Sequence, residues 1–342
     1  MREIITQNDI KLYQSWQKEL ANVVTDPTKL LSMLEISIPE QEQHFAARKL
    51  FPVRVPRPFL KKMKKGDIND PLLLQVLPQK QEFLKLPGYV SDPLEEHNTV
   101  AEGLLHKYTH RVLMIVKAGC AINCRYCFRR HFPYQDNSPN KQRWQQALDY
   151  ISQHSEINEV IFSGGDPLMA NDQHLGWLIK QIEAIEHVKR LRIHTRLPVV
   201  IPNRITQDLV DTLAQSRLKP VIVFHINHAN EIDQDFIDAI EPLRAKRIAM
   251  FNQSVLLRGI NNNSNTLVAL SEALFDAGIL PYYLHVLDPV EGAAHFDIPE
   301  SEAIAIANEM MAILPGYLMP KLVREIPGES NKTPINLNST KP

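Results

Sequence analysis

From about residue 111 the chain alternates between two hydrophobic periodicities. Apolar, β-branched runs occur at RVLMIVKAG (111–119), EVIFSGG (159–165), RLRIHTR (190–196), KPVIVFHINH (219–228), RIAMFNQSVLL (247–257) and LPYYLHVLD (280–288). Between them, apolar positions recur at helical spacing over 141–153, 172–187, 206–216, 231–245, 264–277 and 299–313. Strands alternating with helices predict βαβ units on a parallel sheet, and six such units predict an α/β barrel, complete or partial. Residues 1–100 follow another pattern. Helices are predicted at Asn8–Val24, Pro27–Leu34 and Glu40–Leu50, separated by proline-punctuated connectors such as FPVRVPRPF and LPGYVSDPLEE. They form an N-terminal helical region set against a 101–335 barrel and a 336–342 tail.

Polar residues follow most of the predicted strands: GCAINCRYC, SGGDP, HTRLP, HINHANE, NQSVLLRGINNN and HVLD. Active sites of such barrels lie at the C-terminal ends of the strands. One polar strand end would be an ordinary loop, but six in succession point to a shared site. The formal net charge of -1 disfavours a general nucleic-acid binder, which needs a basic surface. The short basic run KKMKK (61–65) is expected to be a solvated helix face. No apolar run approaches the roughly 18 residues of a membrane span, and the N-terminus has no apolar core of a secretory signal.

All three cysteines, Cys120, Cys124 and Cys127, fall within one eight-residue stretch. An odd, clustered set is no disulfide framework, which favours a reducing cytoplasm. Three thiolates in one loop suit something compact and soft. One option is a zinc site of Cys3His type with His131; the other is an iron–sulfur cluster with one iron left open. Three buried free thiols are disfavoured, because Asn123, Arg125 and Arg129 make a poor apolar core.

The Cys-x3-Cys-x2-Cys spacing resembles the signature of the radical S-adenosylmethionine (SAM) superfamily. There the open iron chelates the methionine end of SAM, and a glycine-rich segment after the second strand meets its amino group. Ser163, Gly164, Gly165 and Asp166 stand at that place. The segments HKYTHRVL, CRYCFRRHF, FSGGDPL, HTRLPVVIPNRIT, HINHANE, NQSVLLRGIN, YYLHVLD and EGAAHF together resemble the lysine 2,3-aminomutase family. FPVRVPRPF and FRRHFPY bring the chain nearest to the subgroup that supplies β-lysine for modifying elongation factor P.

The resemblance implies a partial (β/α)6-type radical SAM barrel and an isomerase interconverting L-α-lysine and β-lysine. It implies a [4Fe-4S] cluster on Cys120, Cys124 and Cys127, SAM, and pyridoxal 5′-phosphate (PLP) held as a Schiff base on Lys332 of REIPGESNKTP. Only Gly328 remains of the glycine-rich stretch that precedes this lysine in the family. Arg111 and Lys107 correspond to PLP-phosphate contacts, and Lys107 replaces a family arginine. Arg129 corresponds to the partner of the substrate carboxylate. Asp288 and Glu325 correspond to the pair holding the far ammonium, with Glu325 replacing an aspartate and His285 a nearby tyrosine. His225, His228, Asn230, Glu231, Asn252, Gln253, Arg258 and Arg196 are candidates to line the PLP or SAM pocket, with internal hydrogen bonding as the competing reading. Implied partners are L-lysine, a flavodoxin- or ferredoxin-type one-electron reductant, and the lysyl-transferring enzyme of elongation factor P. An aminomutase acting on arginine or glutamate, a lysine-catabolic role, a SAM enzyme without PLP, and the zinc-stabilised module remain as alternatives.

Overall fold

The computed structural model describes residues 15–37, 45–96, 100–133 and 140–338. Their centre is one nine-stranded sheet in strictly sequential order. Strands β2 (Arg111–Lys117), β3 (Glu159–Gly164), β4 (Arg190–Thr195), β5 (Lys219–His225), β6 (Ala249–Val255), β7 (Leu280–His285) and β8 (Lys321–Arg324) run parallel. An antiparallel strand borders each edge: β1 (Leu104–Tyr108) beside β2, and β9 (Thr333–Pro334) beside β8. Six helices return the chain between parallel strands: α1 (Lys141–Gln153), α2 (Asp172–Glu183), α3 (Gln207–Gln215), α4 (Gln234–Ala245), α5 (Ser264–Asp276) and α6 (Glu300–Ile313). The six predicted strand–helix units are therefore all present, on a barrel that does not close.

Local chemistry sets the helix starts. Asn140, Asn171, Thr206, Asp233 and Asn263 each accept a backbone N–H of the first turn at 2.8–3.2 Å, satisfying a donor that has no intrahelical partner. Along the strands, alternate residues such as Val112, Met114, Val160, Phe162, Ile193, Ile222, Phe224, Met250 and Leu284 join the main core under the helices. The intervening positions face the lumen, as the two-residue side-chain period requires.

Before β1, the structure has short helices at Ser15–Ala21 and Pro27–Met33 and a 3-10 turn at Phe45–Lys49. The predicted helices reached further, and their residues 8–14 and 40–44 lie outside the described residues, as do Tyr134 and residues 339–342. Trp16, Leu30, Leu31, Phe59, Leu72 and Leu73 join the same apolar core as the barrel residues. The basic run corrects one expectation. Lys62 is not solvated: its side chain is 3% exposed, donates to Val199 O and Glu231 O at 3.0 and 2.8 Å, and pairs with Asp233 at 2.9 Å.

Candidate active site at the barrel mouth and seam

Strand β2 delivers the chain into the cysteine loop, where all three thiols are free and half-buried. Burial, with like charge from the neighbouring thiols, pushes Cys127 up to about 11 and Cys120 well above its ordinary value. Metal ligation would reverse this, since a coordinating thiol is deprotonated. The arginines between and after the thiols are not surface groups. Arg125 is completely buried, with Nε and Nη2 donating to Glu82 at 2.9 and 2.5 Å and Nη1 to Phe51 O at 2.6 Å. Arg130 donates to the same carboxylate at 2.8 Å and to Arg125 O and Gly292 O at 3.0 Å. The expectation that Arg125 makes a poor core residue changes accordingly: it sits in a core, a paired one, and Arg130 is buried beside it. His131 turns toward Glu291 O, 3.2 Å from Nε2. Among the described residues no three His, Cys, Asp or Glu side chains are already grouped as a single metal ion would need.

The SGGDP loop is fastened to the cysteine loop at backbone level. Gly165 N donates to Lys117 O at 2.8 Å, and Asp166 N to Gly119 O at 3.0 Å. A Cβ on Gly165 would stand 2.5 Å from Gly119 C and O, so only glycine permits this approach. Asp166, which stands where the resemblance puts the contact with the SAM amino group, is engaged within the protein. Its buried carboxylate takes Leu168 N, Thr195 Oγ1, Arg196 N and Leu197 N at 2.7–3.0 Å, which fills its lone-pair positions with internal donors. It ties β3 to β4. Arg196, just beyond β4, donates to Cys124 Sγ at 2.8 Å, Gln75 Oε1 at 2.7 Å and Glu231 Oε2 at 2.9 Å, and also bonds Tyr126. Asn227 joins this network through Tyr126 Oη at 2.7 Å.

A second polar system crosses the open seam between the first and last strands. Arg129 grips Glu96 at two points, 2.6 and 3.1 Å, and donates through Nη1 to Ser163 Oγ at 2.9 Å. Lys107 of β1 pairs with Glu96 at 2.9 Å and with Glu325, just past β8, at 3.3 Å. Glu325 pairs in turn with Lys332, which precedes β9, and accepts from Tyr108 Oη at 3.3 Å. The charges alternate: Arg129, Glu96, Lys107, Glu325, Lys332. Burial raises the Glu325 carboxyl, but Lys332 and Lys107 outweigh it and bring it down to about 2. Asp288 has the opposite fate: burial and the charge of Glu325 push it up to about 7, against a smaller pull from Lys332. Arg111 lies 4.1 Å from the Tyr108 ring, at the same seam.

In the lumen His194 and His225 pack edge to face, and His225 Nε2 meets Gln253 Nε2 at 3.0 Å. Burial, reinforced by nearby cations, pushes His225 down to about 3 and His194 and His285 well below the ordinary histidine range, so all three are neutral. Asn252 does not belong to this set. It shares the parity of Met250 and Ser254, borders a small cavity with Leu267 and Leu270 of α5, and bonds Ile226 N and O at 2.9 and 3.0 Å. His228 and Glu231 cap the turn after β5. Arg258 holds Asp297 O at 2.9 Å on the exterior, and Asn230 N donates to His228 Nδ1 at 3.1 Å.

The sequence comparisons fall on this frame. Residues 114–268 match the family model described as the radical SAM superfamily, from β2 into α5. The chain is 55% identical to an L-lysine 2,3-aminomutase of Escherichia coli over 98% of each chain. It is 54% identical to one of Haemophilus influenzae, over 97% of this chain and 99% of that one. The chain belongs to the L-lysine 2,3-aminomutase family. One of Clostridium subterminale is 33% identical, over 95% of this chain and 79% of its own. Radical SAM aminomutases of this family use a [4Fe-4S] cluster, SAM and PLP, and the residues present fit all three. The three thiols supply a soft donor set beside a loop closed by backbone bonds. Lys332 places an amine 5.9 Å from the Tyr283 ring, and Lys107 and Arg111 bring cations to the seam. His194 Nε2, His285 Nε2 and Gln253 Oε1 are buried without hydrogen-bond partners, as expected of groups that a polar ligand would complete. Sequence reasoning had left out Glu96, Gln75, Glu82 and His194. Only His194 carried a signal, its lumen parity in RLRIHTR; the other three lie in connectors distant in sequence.

Proposed function

We propose that this aminomutase-family chain interconverts L-α-lysine and β-lysine, with Lys332 as the carrier of PLP and Cys120, Cys124 and Cys127 as the cluster ligands. The observation that carries the reading is the seam: a lysine amine, two acidic groups and a fork-forming arginine stand along one polar track beside the cysteine loop. When bound, the cluster and SAM supply homolytic removal and return of hydrogen, and PLP supplies the delocalisation through which nitrogen moves between carbons. The protein's share is register. Arg129 offers planar, two-point geometry to an α-carboxylate. Asp288 and Glu325 recognise a distant ammonium, and the same pair rejects a substrate with a carboxylate tail such as glutamate. Lys107 and Arg111 hold the cofactor phosphate, Lys107 as a point charge. Ser163, Gly164 and Gly165 shape the wall beside the cluster, and His225 and Gln253 face the cofactor from β5 and β6. Asp288, elevated toward neutrality when alone, ionises readily once an ammonium stands beside it. Neutral His194, His225 and His285 keep the lumen free of competing cations.

The proposed setting is the cytoplasm, with a small one-electron carrier as reductant and β-lysine delivered to the modification of elongation factor P. No described helix is long and apolar enough to cross a membrane. Anaerobic purification tests the core of the reading. Wild type is expected to show a visible iron–sulfur band and, after borohydride, a pyridoxyl group trapped on Lys332. Lys332→Ala should keep the iron band, lose the trapped group and lose conversion of lysine. An enzyme without the iron band, or one whose pyridoxyl label lands elsewhere, would sink it.

A further inference from the structure

Glu96 has no role in the reaction as so far described, yet it is 3% exposed and sits on the group assigned to the substrate carboxylate. We propose that Glu96 occupies, in the substrate-free enzyme, the place on Arg129 that the α-carboxylate takes, so that lysine binds by exchange of one carboxylate for another. This inference rests on the aminomutase reading and deepens it.

The geometry of the guanidinium carries the argument. Glu96 uses the Nε and Nη2 edge, with Oε2 at 2.6 Å and Oε1 at 3.1 Å. Nη1 is committed to Ser163 Oγ at 2.9 Å and Gly164 O at 3.3 Å. A planar guanidinium has two edges that grip a carboxylate at two points, and both depend on these atoms. A second carboxylate therefore cannot be held bidentately while Glu96 stays, and two carboxylates on one buried arginine repel each other. Burial alone would raise the Glu96 carboxyl, but Arg129 and Lys107 outweigh it and hold it below its ordinary value. Protonation therefore does not release it near neutral pH. Lys107 is the other cation on Glu96, at 2.9 Å, and it too has an assigned ligand, the PLP phosphate. Loading the site thus draws away both partners of Glu96 together.

The backbone is consistent with a residue set in place deliberately. Glu95, immediately before it, adopts φ 53°, a left-handed conformation that is costly for a side chain with a Cβ. Leu94 is buried beside it, and Glu96 N donates to Asp92 Oδ1 at 2.9 Å. That turn directs Glu96 inward. The arrangement gives the empty pocket a resident anion, so Arg129 is never left as an uncompensated buried charge. It also makes a carboxylate on the ligand the condition for displacing that anion.

The test uses holoenzyme loaded with cluster, PLP and SAM, kept without reductant so that binding is read without turnover. Calorimetric affinities are measured for L-lysine and for 1,5-diaminopentane, which is lysine without its carboxylate. Glu96→Gln keeps shape and loses charge; it should tighten L-lysine by about tenfold, the worth of roughly one charge-assisted interaction, and leave the diamine nearly unchanged. Unchanged or weakened lysine binding overturns the exchange and makes Glu96 a support for Arg129. A wild-type measurement guards against a variant that fails to load. Saturation with lysine, but not with the diamine, should speed hydrogen exchange at the amides of residues 94–96; equal or slower exchange overturns the proposal. If Arg129→Lys leaves lysine affinity intact, Arg129 is not the carboxylate site, and both readings fall. If Arg129→Lys weakens lysine while Glu96→Gln leaves its affinity unchanged, only the exchange falls.

Discussion

Glu82 offers a direct test of what holds the cysteine loop. Its carboxylate, 2% exposed, accepts from Arg125 Nε at 2.9 Å, Arg125 Nη2 at 2.5 Å and Arg130 Nη2 at 2.8 Å. Both arginines belong to the loop that carries the thiols, whereas Glu82 belongs to the proline-rich approach to β1. Replacing Glu82 by Ala leaves two buried guanidiniums facing each other without an anion. Removing one partner of a buried ion pair costs about 3–5 kcal/mol, mostly as the penalty on the charge left behind. Unfolding entropy near 2.1 cal/mol/K per residue gives a chain of this length roughly 0.7 kcal/mol/K, so a loss of about 4 kcal/mol lowers the melting temperature by about 6 °C. Glu82→Gln retains one acceptor oxygen and should lose less. The surface pair Lys85–Glu291, 3.4 Å apart with Lys85 85% exposed, serves as control, and Lys85→Ala should change stability by less than about 0.5 kcal/mol. Thermal melting of anaerobically purified protein reads the stability, and iron per chain reads the loop. The expected result is a lower midpoint together with substoichiometric iron. A Glu82→Ala protein that melts within about 1 °C of wild type and carries full iron would refute the claim that this carboxylate organises the loop.

Three further outcomes follow from the site. Gly165→Ala drives a Cβ to 2.5 Å from the Gly119 backbone, which has no flexible end to give way, so iron loading should fall sharply. Gly316→Ala, with nothing within 4 Å of the added carbon, should load like wild type. Asp288, raised from 3.8 to about 7 in the folded chain, makes the substrate-free enzyme lose stability as pH rises through about 7, because the folded state holds its proton longer than the unfolded one. The difference between wild type and Asp288→Asn across pH 4–8 isolates that contribution from Glu96 and Glu325, which act with the opposite sign. The same ionisation governs the ammonium site, so KM for lysine in wild type should rise as pH falls below about 7, and a flat KM profile would contradict the role of Asp288.

How much of this was legible beforehand depends on the range over which each residue acts. Strand and helix periodicity is local, and all six strand–helix units stand where the pattern placed them. Helix ends moved by a few residues because capping side chains, rather than apolar spacing, decide where a helix starts. Asp166 and Asn252 mark a limit, because polarity at a strand end does not reveal parity or lone-pair occupancy. Asn252 sits one residue out of phase with the lumen, and Asp166 spends its oxygens on β4. Lys62 and Arg125 show the same limit from the other side, since a charged residue reads as exposed until its partner is known.

The partners in question share one origin. Gln75, Glu82 and Glu96 come from the approach to β1, and each meets a cation in or beside the barrel mouth: Arg196, Arg125 with Arg130, and Arg129. Arg125, Arg129 and Arg130 within six residues of the cysteine loop required buried acceptors from somewhere, and that demand was readable; the suppliers were not, because they lie 33–48 residues away. The N-terminal region therefore contributes to the site as well as to the core. It carries Glu82 and Glu96, the counter-charges without which the cysteine loop could not bury three arginines beside the site where Arg129 is to exchange Glu96 for the substrate carboxylate.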